Sequence, residues 1–79
     1  MKILVVDDEK LIRDVIKEYL LKENFEVLEA ENGEEAISKF LEYSPAVILM
    51  DIGMPVVDGY QATEAIRQLS SKVPIVAVT

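Results

Sequence analysis

The sequence predicts an α/β fold in one domain, residues 1–79, built as a partial doubly wound parallel sheet. Short apolar runs, KILVV (2–6), AVILM (46–50) and PIVAV (74–78), alternate with segments whose apolar residues recur at three- and four-residue spacing. Two of those runs end directly in acids, Asp7-Asp8 and Asp51. No linker, internal repeat or low-complexity stretch interrupts the alternation.

In chain order, the run at 2–6 reads as a strand buried on both faces. Leu11, Ile12, Val15, Ile16, Tyr19 and Leu20 then mark an amphipathic helix of about four turns, with Lys10, Arg13, Asp14, Lys17 and Glu18 on its polar side. FEVLE (25–29) alternates apolar and acidic residues, which predicts an edge strand with one face in water. Asn32, with Glu35 three residues on, predicts the start of a second helix through Ala36, Ile37, Phe40 and Leu41, ending near Ser44-Pro45. The run at 46–50 is a third strand. Pro55 and Gly59 punctuate the loop after it, Ala62, Ala65, Ile66 and Leu69 mark a third helix, and 74–78 forms a fourth strand.

With strand 2 at the edge, the strand order is 2-1-3-4. Right-handed crossovers then put the first helix alone on one face and the other two helices on the opposite face. Strand 4 reads as buried on both faces yet occupies an edge, and one helix cannot cover four strands. An exposed apolar edge strand is a pairing site. A homo-oligomer through that edge is expected.

Composition narrows the chemistry. At 51% apolar and 29% charged residues, the chain is expected to fold as a soluble globular domain. It has no histidine and no cysteine, which excludes disulfides, thiolate nucleophiles and histidine acid–base chemistry. A formal charge of −7 argues against a nucleic-acid surface and favours a cation or a basic partner. No run approaches the roughly 18 apolar residues of a membrane span, and no signal peptide is recognised, so a cytoplasmic location is expected.

Open parallel sheets place their functional groups beyond the carboxyl ends of the strands, where strand order reverses. Here that point lies between strands 1 and 3 and brings Asp7, Asp8 and Asp51 to one crevice. Clustered carboxylates oppose one another's ionisation unless a cation neutralises them. An all-oxygen donor set suits a hard ion, and Mg²⁺ takes one or two carboxylates together with water and phosphate oxygens. Asp8 is also a candidate N-cap of the first helix, and Glu9 reads as an ordinary first-turn acid.

LVVDD at strand 1, ENGEEA into helix 2, VILMD-I-G-MP-xx-DG from strand 3 to helix 3 and PIVAVT at strand 4 together resemble response-regulator receiver domains, the phosphoacceptor modules of two-component signalling. The resemblance runs through the whole chain, in order. It implies a flavodoxin-like fold with strand order 2-1-3-4-5, of which helices 4 and 5 and strand 5 would lie beyond Thr79. It further implies that Asp51 accepts the phosphoryl group, that Asp8 binds Mg²⁺ directly and Asp7 through water, and that Asp51 and the Gly53 backbone carbonyl complete the protein ligands. Thr79 would hydrogen-bond the phosphoryl oxygens and couple phosphorylation to a conformational switch.

The implied partner is a histidine kinase or phosphotransfer protein, and the domain is regulatory rather than an enzyme. Receiver domains also carry a lysine at the end of the fifth strand, for which Lys2, Lys10, Lys17, Lys22, Lys39 and Lys72 offer no equivalent. Impaired phosphorylation is therefore expected of these residues alone. Phosphatases of the haloacid dehalogenase type, which also use an aspartate nucleophile after a parallel strand, need a second acid two residues later, where Gly53 stands, and no GxxxxGK loop supports a nucleotide hydrolase. A non-catalytic fragment that oligomerises or domain-swaps through strand 4 is the alternative.

Overall fold

The computed structural model describes residues 1–53, 59–70 and 72–78, with the Tyr60 side chain left out. Met54, Pro55, Asp58 and Thr79, all singled out in the sequence, lie outside the described residues. The elements run β1 (Lys2–Val6), α1 (Lys10–Lys22), β2 (Glu26–Ala30), α2 (Gly33–Tyr43), β3 (Val47–Asp51), α3 (Gly59–Leu69) and β4 (Ile75–Val78). All strand pairs are parallel and the order is β2-β1-β3-β4, as expected.

Burial separates the two faces of the sheet. Leu4, Val6, Ala30, Ile48 and Met50 point to the side covered by α2 and α3, where Ala36, Ala62, Ile66 and Val73 close the core. Alanine at 36 and 62 is small enough to let the two helices pack against each other and down onto the strands. Ile3 and Val5, the alternate residues of β1, are buried outside that cluster, and α1 packs over β1 and β2.

The α1 side is open. No residue of α1 is buried, and Leu11 (79% exposed), Val15 and Tyr19 face solvent. β4 departs from the sequence reading: Val76 and Ala77, successive residues that point to opposite faces, are both exposed, because neither face of this edge strand is fully covered.

Local rules account for the helix ends nearest the site. At α2, the Asn32 side chain accepts from the Glu35 N–H at 2.8 Å, and Glu35 Oε1 accepts from the Glu31 N–H at 3.3 Å. At α1 the N-cap is Glu9, not Asp8, and Glu9 makes no side-chain cap bond. Asp8 is thereby left exposed at the strand end rather than folded onto the helix.

Candidate metal and phosphoacceptor site

β1 and β3 are adjacent and in register, Val6 opposite Met50, so the residues that follow leave the sheet side by side. Asp7 follows β1 directly and Asp51 is the last residue of β3. Carboxylate oxygens from Asp7, Asp8 and Asp51 all lie within 4.8 Å of one another. They line a crevice of about 340 Å³ with Glu9, Ile12, Gly53 and Val78. Asp7 is 7% exposed, Asp51 half-buried and Asp8 exposed, so the cluster opens to water on the Asp8 side.

Backbone groups hold two of the three acids. The Glu9 N–H donates to Asp7 Oδ1 at 2.9 Å, and the Gly53 N–H donates to Asp51 Oδ1 at 2.9 Å. These turns leave the second oxygen of each carboxylate for another partner. The Asp7 N–H donates to the Ala30 carbonyl at 3.1 Å, and the Ile52 N–H to the Val78 carbonyl at 3.3 Å, which extends sheet-like pairing into the site.

Burial is the main force pushing the Asp7 carboxyl above its ordinary 3.8, and the charges of Asp51 and Asp8 add to it. The Glu9 N–H and the Arg13 guanidinium pull the other way. Two unit charges about 4 Å apart repel by roughly 4 kcal/mol at the effective dielectric of a protein surface. A divalent cation among these oxygens would reverse the sign of that interaction. The donor set therefore fits Mg²⁺: only oxygens, one open side for water and phosphate, and more negative charge than the fold itself needs.

A stability prediction follows from Asp7. The folded chain binds a proton at Asp7 more tightly than the unfolded chain does, so this group's contribution to stability falls as pH rises from about 4 through the raised value. It then remains unfavourable at neutral pH. Asp7→Asn is expected to raise the melting temperature of the metal-free domain at neutral pH and to flatten the pH dependence in that window, measured by thermal unfolding in chelator. A lower melting temperature at neutral pH would contradict this assignment of strain.

The sequence marks Gly59 only as punctuation in the loop before the third helix. A Cβ built on it would come 2.5 Å from Ile52 Cα and 2.8 Å from the Asp51 carbonyl carbon, and closer still to the Asp51 carbonyl oxygen. The first turn of α3 thus lies directly on the backbone that carries Asp51.

Arg13, Lys17 and Glu29 were also missed. Periodicity puts Arg13 on the polar side of α1, but its side chain is only 12% exposed. Glu29 is half-buried rather than facing water and pairs with both Arg13 and Lys17. Its position next to Val5 in the strand register was the available clue.

The family model for the response regulator receiver domain matches residues 3–79. The chain is 45% identical over 76 residues to the chemotaxis protein CheY of Bacillus subtilis, covering 95% of this chain and 63% of CheY. The crystal structure of the response regulator TrrA of Thermotoga maritima in complex with Mg²⁺-BeF matches with a TM-score of 0.89 and 42% identity, over 94% of this chain and 64% of that one. A second crystal structure, of histidine kinase ThkA in complex with TrrA, matches with a TM-score of 0.91 and 41% identity, over 99% of this chain and 67% of that one. The chain thus spans about two thirds of these proteins. The parallel order β2-β1-β3-β4, the acids at the ends of β1 and β3 and these likenesses agree, and the chain belongs to the response regulator receiver domain family.

Proposed function

We propose that this domain accepts a phosphoryl group on Asp51 in a Mg²⁺-dependent reaction, with a histidine kinase or phosphotransfer protein as donor. The observation that carries the reading is the convergence of Asp7, Asp8 and Asp51 oxygens within 4.8 Å at the carboxyl edge of a parallel sheet. The Mg²⁺-BeF complex of TrrA and its complex with a histidine kinase support the cofactor and the partner.

In this reading an Asp51 oxygen attacks phosphorus, the bond from phosphorus to the donor breaks, and an acyl phosphate forms on Asp51. The Gly53 N–H fixes Asp51 Oδ1 and so aims the other oxygen. Asp8 would hold Mg²⁺ directly and Asp7 through water, with Asp51 and the Gly53 carbonyl completing the protein ligands. Thr79 would donate its hydroxyl hydrogen to a phosphoryl oxygen and so couple phosphorylation to the conformational switch. When bound, Mg²⁺ neutralises charge on the phosphoryl oxygens. The protein's task is positioning, as in phosphoryl transfer generally. The role is regulatory, self-catalysed and cytoplasmic.

Intact-mass spectrometry after incubation with acetyl phosphate tests it. One phosphoryl group is expected with Mg²⁺ and none in chelator. No adduct with Mg²⁺, under conditions that modify a full-length receiver domain, would contradict the reading.

Self-association is a second reading. Among the described residues β4 pairs only with β3, and Val76 on it is 49% exposed. Sedimentation over a concentration range is expected to show dimers at the high end, and a monomer throughout would contradict this.

A further inference from the structure

The structure assigns to Arg13 the role of a positioning residue that holds the Asp7–Asp8 turn in the geometry needed to bind a divalent cation. This inference rests on the metal reading of Asp7, Asp8 and Asp51 given above.

Arg13 lies one turn into α1, its own N–H donating to the Glu9 carbonyl at 3.1 Å. Its Nη1 donates to the Asp7 backbone carbonyl at 2.7 Å, and its Nε to Glu29 Oε1 at 3.3 Å. Glu29 Oε2 accepts from Lys17 Nζ at 3.1 Å. One guanidinium therefore ties α1, the end of β1 and the edge strand β2 together. A planar fork can serve a carbonyl and a carboxylate at once, which a lysine ammonium does less well.

The Asp7 carbonyl matters because it belongs to the peptide that leads into Asp8. With the Asp7 N–H fixed on Ala30 and its carbonyl fixed on Arg13, both peptide planes around Asp7 are set. The second of those planes directs the Asp8 side chain. Asp8 is exposed, so neighbouring side chains do little to confine it, and backbone orientation is what aims it toward Asp7 and Asp51.

Charge and position predict opposite outcomes when Arg13 is removed. Deleting a cation beside a cation site strengthens binding by simple electrostatics, whereas loss of a supporting hydrogen bond around a metal site typically weakens it about 10- to 100-fold.

Mn²⁺ is a suitable probe, titrated by electron paramagnetic resonance into the full chain as wild type, Arg13→Met, Arg13→Lys and Glu29→Gln, with dispersed amide NMR spectra as the check on folding. Affinity is expected to fall by about tenfold in Arg13→Met and to remain well below wild type in Arg13→Lys, with a smaller loss in Glu29→Gln. Unchanged or tighter binding in Arg13→Met would overturn the assignment. If that variant does not fold, Arg13→Lys decides: weaker binding supports the role and equal binding overturns it. Wild-type protein that binds no Mn²⁺ would overturn the metal reading itself, an outcome distinct from equal binding by all four.

Discussion

Asp51→Asn is expected to abolish the phosphoryl adduct while leaving the domain folded. The substitution keeps the shape of the side chain and an amide oxygen that can still accept from the Gly53 N–H, so the turn after β3 retains its bond. What disappears is the proposed nucleophile, because a carboxamide does not attack phosphorus at a useful rate. One of three crowded negative charges also disappears, which relieves repulsion in the metal-free state. The expected result is no mass increase with acetyl phosphate and Mg²⁺, together with a melting temperature no lower than wild type in chelator. Persistent modification of the variant would move the acceptor to another residue.

Gly59→Ala has the largest expected effect on the fold for the fewest added atoms. Alanine is favoured over glycine in a helix by about 1 kcal/mol, and Gly59 is the first residue of α3. Steric conflict outweighs that gain. The new methyl would lie within van der Waals exclusion of Asp51 and Ile52 backbone atoms, which cannot rotate aside as a flexible side chain could. Overpacking of this kind costs roughly 1–3 kcal/mol, a large share of the roughly 5–15 kcal/mol that stabilises a typical domain.

The strain falls on the peptide carrying Asp51, the proposed acceptor, so function should suffer more than stability. A misplacement of about 1 Å can cost on the order of 100-fold in rate. Phosphorylation is expected to slow by about 10- to 100-fold in a variant that still unfolds cooperatively, followed by intact mass against time and by thermal melting. A variant with wild-type rate and stability would contradict the close seating of α3 on β3.

Much of the fold was legible in the sequence because apolar runs and helical spacing report burial directly. KILVV and AVILM became the two central strands, and the Asn32–Glu35 capping pair formed as read. Crossover handedness then fixed the faces, and Asp7 and Asp51 came together because parallel neighbours end side by side. Where reading failed, the cause was a contact that no local pattern encodes.

The Arg13–Glu29 link joins residues 16 positions apart, and periodicity alone assigned both to solvent. Gly59 looked like turn punctuation, although its lack of a side chain is demanded by backbone nearby in space. Asp8 has the residue type of an N-cap, yet Glu9 takes that place and Asp8 turns to the acidic crevice. β4 was misread as buried on both faces because composition reports what a strand could bury, not what covers it.

The central claim is that the carboxylate of Asp51, and not its acidic neighbours, becomes the acyl phosphate. Borohydride reduces an aspartyl phosphate to homoserine, which peptide mass spectrometry locates along the chain. After treatment with Mg²⁺ and acetyl phosphate, homoserine is expected at position 51 alone, and in no position when chelator replaces Mg²⁺. Homoserine at Asp7 or Asp8, or at position 51 to the same extent in chelator, would contradict the claim.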